Sequence, residues 1–190
     1  MKDRKEKKWL LIIGSFLFLL FIIYTYIVAR EYTAQFDFDI TVRMHDNIPT
    51  RVDPFFSWFS LLGSFELTSL IFVLTVIAIS LKKGRRFLIG FSFIAFHIIE
   101  LTFKSIVDQV GPPFMFHRYA LDYHFPSTYI SSDYFSFPSG HVGRTAMLVG
   151  LFTFIVWKSK IRKIGKLGCL GCLGIVFSIM VVSSVSLGEQ

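Results

Sequence analysis

The sequence predicts an all-α integral membrane protein, and three observations support this fold class. The chain is 53% hydrophobic and 17% aromatic, with 23 Phe among its 190 residues. Its apolar residues form runs of about 20, the length that a helix rising about 1.5 Å per residue needs to cross about 30 Å of hydrocarbon. Its basic residues are concentrated in short segments beside those runs.

Five membrane spans are predicted in a single membrane domain of residues 9–190. Residues 9–29 carry no charge, lack a signal-peptide cleavage site and are too long for a signal-peptide core, which indicates a retained span. The polar stretch that follows, residues 30–54, is expected to form a short amphipathic helix at the interface, ended near Pro49 and Pro54. The remaining spans are residues 55–81, 87–103, 140–157 and 165–187, with a long loop, residues 104–137, between the third and the fourth.

The basic residues predict the orientation of these spans. Three segments hold 14 of the 20 Lys and Arg residues: the tail 1–8 and residues 82–86 and 158–166. Because Lys and Arg mark cytoplasmic loops, we expect an integral protein of the cell (cytoplasmic) membrane whose N-terminus lies in the cytoplasm. Residues 104–137 and the C-terminus are then expected outside the cell. The net charge of +7 is therefore assigned to topology, and nucleic acid is not expected as a partner.

The two cysteines do not predict a metal or redox centre. Cys169 and Cys172 lie in "LGCLGCLG", which supplies neither four zinc ligands nor a thioredoxin-like unit. Glycines recur there every third residue, and small residues at helical spacing favour the close approach of a neighbouring helix. No cofactor is expected.

The segment "FSFPSGHVGRT", residues 135–145, places Pro138, Ser139, Gly140 and His141 at the start of the fourth span. One interpretation is a helix start, since Pro is tolerated in the first turn and Ser caps free N–H groups. The other is a phosphate site, because a helix N-terminus offers N–H donors and partial positive charge, and His141 can carry a proton. Ser139 and His141 do not face each other on a helix, so a hydrolase dyad between them is not expected.

A second polar group lies in "HIIELTFK", residues 97–104. His97, Glu100 and Lys104 share one helical stripe, and ionisable groups within a span are functional candidates by default. A structural Glu100–Lys104 pair at the membrane edge and a role in holding a substrate both remain open. Glu66, in the second span, is expected to face the bundle interior in a hydrogen bond.

With PSGH at the outer end of one span and Lys104 at the end of the preceding one, residues 36–190 resemble the type 2 phosphatidic acid phosphatase (PAP2) superfamily. That superfamily includes bacterial lipid phosphatases and vanadium haloperoxidases. The stretch "PTRVDPFFSWFSLLGS" is also similar to the family's approach to its second span. The resemblance implies a PAP2-like helical bundle in which five of the usual six transmembrane helices are visible.

The three family motifs match unequally. Lys104 fits the lysine of the first motif, but Gly111 stands where that motif has Arg. The second motif, PSGH, is intact. In the third, "SSVSLGEQ" aligns by its Leu-Gly, so that Ser183 takes the Ser position, Ser184 the Arg position and Gln190 the position of the nucleophilic His.

The resemblance also implies roles and a substrate. In the family the third-motif His forms a phosphohistidine, and the PSGH His protonates the leaving oxygen. His141 would thus be the leaving-group acid, with Lys104, Ser139 and Gly140 in the phosphate cradle. The implied reaction removes phosphate from a membrane lipid phosphate or a polyprenyl diphosphate at the extracytoplasmic face, without a metal.

The departures from the motifs predict that this polypeptide does not complete the family reaction. An amide such as Gln190 cannot replace a nucleophilic His, and each lost charge stabiliser typically costs about 10²–10³-fold in rate. Arg118 or Arg144 is hypothesised to supply a replacement charge. The sequence stops directly after Leu-Gly-Glu-Gln, so a truncated C-terminus is expected as a second explanation.

Two alternative functions remain open. A non-catalytic PAP2-fold protein that binds lipid phosphates, or that interacts with a partner, predicts binding without turnover. A small membrane protein in which PSGH is a plain helix cap predicts no affinity for phosphate at all. The sequence does not indicate an oligomeric state.

Overall fold

The structure is a computed structural model, and it describes residues 2–83, 88–107, 109, 111–123, 125–127 and 136–188, without the side chains of residues 2–7, 82 and 83. All regular secondary structure in these ranges is helical, which confirms the all-α prediction for the described part of the chain. The helices are α1 (Lys2–Ala29), α2 (Ala34–Asn47), α3 (Asp53–Leu61), α4 (Phe65–Lys83), α5 (Gly90–Ile106), α6 (Gly140–Lys158) and α7 (Lys163–Ser186). Single 3₁₀ turns lie at Thr50–Val52 and Phe114–Phe116.

The chain divides into two compact units, Met1–Asp39 and Ile40–Gln190. The first unit holds α1 and the beginning of α2. Glu31 ends α1 because its backbone adopts the left-handed conformation, with φ 58°, which turns the chain out of the helix. The amide of Tyr32 then donates to the carbonyl of Ile27, and α2 begins three residues after Glu31.

Three described helices are long and apolar enough to cross a membrane, or four if one bent pair is counted as a span. The three lie at Lys8–Ala29, Gly140–Lys158 and Lys163–Ser186, close to the predicted bounds. The bent pair, Thr50–Leu61 and Phe65–Leu81, corresponds to the predicted span 55–81. The predicted span 87–103 falls on α5, whose 17 residues extend only about 26 Å at 1.5 Å per residue. The structure thus supports three or four spans, not the predicted five.

The bent pair breaks by 46° between α3 and α4. Short turn bonds replace helical ones there, from the amide of Gly63 to the carbonyl of Ser60 and from that of Ser64 to that of Leu61. A Cβ at Gly63 would collide with Met180 and would lie 3.0 Å from Cδ2 of His141. The break is therefore a point where side chains of α6 and α7 approach the backbone closely, and any larger residue at position 63 would have to shift Met180.

Two kinds of packing hold the second unit together. Phe72, Leu148 and Leu151 form an apolar core between α4 and α6. α7 packs against α3 and α6. Small polar residues on α3 and near the C-terminal end of α7 are fully enclosed: Ser57, Ser60, Ser183, Ser184 and Ser186. Small side chains let helices approach closely. Four glycines were predicted to do this. Among the described residues, nothing lies within 4 Å of a Cβ built on Gly168, Gly171 or Gly174, and the neighbour of Gly165 is the side chain of Ile161.

Candidate anion-binding site

Ser139 begins α6 as its N-cap. Its backbone is extended, with φ −61° and ψ 115°, and its Oγ accepts the N–H of Val142 at 3.4 Å. A serine oxygen in this position satisfies one of the N–H groups that a helix start leaves without a partner. The helix-start interpretation of PSGH is thus confirmed for Ser139, and the hydroxyl hydrogen of Ser139 can still donate to a ligand.

A buried ion pair joins α5 to α6 one turn further on. Nη1 of Arg144 donates to Oε1 of Glu100 at 3.0 Å, and the two side chains are only 11% and 5% exposed. Nε of Arg144 donates to the carbonyl of Gly63 at 3.0 Å. The guanidinium therefore links α5, α6 and the break between α3 and α4.

The carboxylate of Glu100 lies directly against the start of α6. A Cβ built on Gly140 would collide with Oε1 of Glu100, and it would lie 2.6 Å from Nη1 of Arg144. A side chain at position 140 would therefore have to displace this ion pair. Because the first turn of a helix carries partial positive charge, an anion is favoured here. The carboxylate of Glu100 thus lies beside the helix start at which one of the two interpretations of the sequence expects a phosphate.

His97 holds the other carboxylate oxygen. Its Nδ1 lies 3.1 Å from Oε2 of Glu100, which confirms that the two share one face of α5. Three phenylalanine rings, Phe65, Phe93 and Phe96, surround the imidazole edge-on at centroid distances of 5.0, 4.4 and 5.3 Å. Nε2 of His97 is buried and has no hydrogen-bond partner among the described residues. Both oxygens of Glu100 are therefore engaged within the protein.

Lys104 and His141 complete a group that we call the charge cluster: Glu100, Lys104, His141 and Arg144. Lys104 interacts electrostatically with Glu100 and Arg144, and His141 interacts with all three other members of the cluster. Lys104 and His141 are half-buried. The convergence of Lys104 with the start of α6, and the roles of these residues, stay predictions.

Glu66 connects the loop before PSGH to the beginning of α4. Ser127 donates from its amide to Oε1 at 2.9 Å and from its hydroxyl to Oε2 at 2.7 Å. The expected hydrogen bond of Glu66 is confirmed, but its partner is a loop residue. The charge of Glu66 also acts on His141 and Arg144, so this tether is coupled electrostatically to the charge cluster.

Arg118 lies outside the charge cluster in its described contacts. Its Nε donates to Oδ2 of Asp53 at 3.0 Å, and both terminal nitrogens donate to the carbonyl of Ile48 at 3.1 Å. Its amide donates to the carbonyl of Leu187 at 3.3 Å. Of the two arginines hypothesised to supply a replacement charge, Arg144 therefore belongs to the charge cluster, and Arg118 secures the loop.

The substituted motif positions have different surroundings. Gly111 lies in the loop after α5, and Ser184 is completely buried near the end of α7. Ser183 beside it is equally buried and donates from its hydroxyl to the carbonyl of Met180 at 2.9 Å. Gln190, the predicted nucleophile position, lies outside the described residues.

Sequence reasoning missed the carbonyl of Gly63 as a partner of Arg144. The signal that was available is the "LGS" at 62–64, which interrupts an otherwise apolar run.

Among the side chains that the structure describes, no three His, Cys, Asp or Glu residues come together as a metal site would require.

The fold and the charge cluster assign this chain to a broad class: helical membrane proteins with a buried ion pair at the start of one helix. Comparisons with protein-family models, with curated proteins and with solved structures find no match to this chain. Membership of the PAP2 superfamily therefore stays a prediction from the motifs.

Proposed function

We propose that this protein binds the phosphate group of a membrane lipid phosphate or diphosphate at the charge cluster, within a PAP2-like bundle. One observation carries the proposal: beside the start of α6, Arg144 already holds an anionic group, the carboxylate of Glu100, and the charge of Lys104 also acts on that carboxylate. Two cations beside the free N–H groups of a helix form a setting that suits a phosphate.

A bound phosphate would displace the carboxylate of Glu100 from Gly140 and Arg144. The planar guanidinium of Arg144 presents paired donors that match phosphate oxygens, and Lys104 adds a compact positive charge. The amides of Gly140 and His141, in the first turn of α6, and the hydroxyl of Ser139 supply further donors. Arg144 thus takes the part of the arginine that the family motifs have and that Gly111 and Ser184 replace.

We propose binding without turnover for this polypeptide. The resemblance assigns the nucleophile to Gln190, whose amide cannot form a phosphohistidine, and it assigns a stabilising charge to Ser184, which is buried and neutral. His141 keeps the place of the leaving-group acid. The proposal includes α5 as a further span and an outward-facing charge cluster, with the lipid reached from the extracytoplasmic leaflet.

Titration of the purified protein with vanadate and with phosphatidate in nanodiscs tests the proposal. We expect Lys104→Met to weaken both ligands at least about tenfold, because a hydrogen bond to a charged group contributes about 1.5–3 kcal/mol. Lys158→Met is the matched control, since this exposed lysine lies at the opposite end of α6. No binding by the unmodified protein, or equal losses in the two variants, would contradict the proposal.

A phosphate-release assay separates binding from hydrolysis. We expect the unmodified protein and His141→Ala to release phosphate from phosphatidate at the same background rate. Release by the unmodified protein that His141→Ala abolishes would show a working phosphatase and would contradict the binding-only proposal.

A further inference from the structure

We infer that a groove between α4 and α5 holds the hydrocarbon chain of the lipid whose phosphate binds the charge cluster. This inference rests on the proposed function and extends it to a second part of the ligand. The groove has a volume of about 340 Å³. Phe72 and Phe93, stacked with centroids 4.6 Å apart, are part of its lining, together with Val73, Val76, Gly90 and Ile94.

The groove lies at a similar distance along both helices from their glutamates, Glu100 on α5 and Glu66 on α4. On α5, Phe93 and Gly90 lie seven and ten residues before Glu100, which is about 10 and 15 Å along the helix at 1.5 Å per residue. On α4, Glu66 lies six residues from Phe72, about 9 Å. A lipid with its phosphate at the charge cluster therefore has the groove in reach of the middle of its chain.

A continuous set of contacts joins the groove to the charge cluster. Phe93 lines the groove and also packs edge-on against the imidazole of His97, with centroids 4.4 Å apart. Nδ1 of His97 then lies 3.1 Å from Oε2 of Glu100. The apolar part of a ligand can follow Phe93 while its charged part replaces the carboxylate of Glu100.

The chemistry of the lining selects a hydrocarbon chain as the occupant. The lining residues are all apolar, so no headgroup or extended peptide would find a hydrogen-bond partner there. Val73 and Ile94 are 50% and 55% exposed, so the groove opens away from the bundle interior.

The groove is expected to fix the position of the lipid chain and to add little to the affinity for the lipid. Hydrocarbon in the bilayer is as apolar as the lining side chains, so moving a lipid chain from the bilayer into the groove gains little hydrophobic free energy. The inference therefore predicts where the chain lies, and it is tested best by a measurement of position.

The experiment uses phosphatidate with a photoactivatable group midway along one acyl chain, in nanodiscs of zwitterionic lipid. Gly90→Phe fills the groove, and the structure has open space for a side chain there. Gly150→Phe is the matched control, because Gly150 on α6 also has open space but does not line the groove. We expect crosslinks on α4 and α5 at the groove residues, most of them lost in Gly90→Phe and kept in Gly150→Phe.

Vanadate, which has no chain, separates this inference from the proposed function. If vanadate binds all three proteins but crosslinks scatter over other helices, or persist in Gly90→Phe, the inference is wrong and the proposed function stands. Equal crosslinking by the matching diacylglycerol, which lacks the phosphate, also overturns the inference. If neither vanadate nor phosphatidate binds the unmodified protein, it is the proposed function that fails. Ile94→Trp provides a second block of the groove should Gly90→Phe not fold.

Discussion

Replacing Glu100 by glutamine separates an anion site from a structural ion pair. In the structure Glu100 accepts from Arg144 at 3.0 Å and lies against Gly140, so a phosphate has to break this bond before it reaches the start of α6. Glu100→Gln keeps the shape of the side chain and removes its negative charge. We expect the variant to bind phosphate and vanadate more tightly and to be less stable.

The size of both effects follows from the ion pair. A hydrogen bond to a charged group contributes about 1.5–3 kcal/mol, and a ligand that need not break it gains about 10- to 100-fold in affinity, since about 1.4 kcal/mol is a factor of ten. Removing one partner of a buried pair leaves the other charge uncompensated, which costs about 3–5 kcal/mol of stability. Because the side chain of Glu100 is only 5% exposed, water screens its interaction with Arg144 very little.

The assay pairs vanadate titration with thermal unfolding in detergent, on the same preparations. Asp53→Asn is the matched control, because Asp53 is a buried carboxylate that accepts from Arg118 at the same distance, 3.0 Å, outside the charge cluster. We expect Asp53→Asn to lower stability and to leave the affinity for vanadate unchanged.

In Glu100→Gln, vanadate affinity rises while thermal stability falls only if the carboxylate of Glu100 competes with the ligand for its place. If Glu100→Gln weakens vanadate binding while it lowers stability, Glu100 helps to form the site and does not compete for it. If vanadate binds neither protein, the ion pair is structural, and PSGH is a plain helix cap.

Three further variants test the surroundings of the charge cluster. Gly140→Ala should lower the free energy of unfolding by about 1–3 kcal/mol in detergent, because its methyl group collides with the ion pair, whereas Gly150→Ala should be neutral or slightly stabilising. Arg144→Lys keeps the charge but loses the planar pair of donors, so vanadate titration should show weaker binding; equal affinity would show that charge alone suffices. Ser127→Ala removes one of two bonds to Glu66, and limited proteolysis should cut the loop before PSGH faster than in Ser105→Ala, whose hydroxyl contacts only its own helix.

The sequence predicted the long elements better than the breaks between them. α6 begins at Gly140 and ends within one residue of the expected bound, because a Pro-Ser start and a long apolar run are strong local signals. Residues 55–81 were expected to be one span, but the helix breaks at Gly63 and Ser64. A single glycine in an apolar run is tolerated in many helices, and what decides here is the approach of His141 and Met180 from elsewhere in the chain.

In the charge cluster too, the sequence predicted contacts between residues close in the chain but not contacts between distant ones. The spacing of His97 and Glu100 predicted one face of a helix, and the two side chains are in contact. The partner of Glu100 is Arg144, 44 residues away, and the sequence singled out that arginine only as a replacement charge. Local periodicity carries no information about which helices become neighbours, so this ion pair required the structure.

The carbonyl of Gly63 makes the angle between α3 and α4 a property of the candidate site. An unbroken helix would use that carbonyl in its own hydrogen-bond ladder, whereas the break leaves it to accept from Nε of Arg144. Straightening or sharpening the break would pull this acceptor away from the guanidinium. The angle between α3 and α4 therefore sets where the backbone acceptor for Arg144 lies, and a change in that angle would change the geometry of the candidate site.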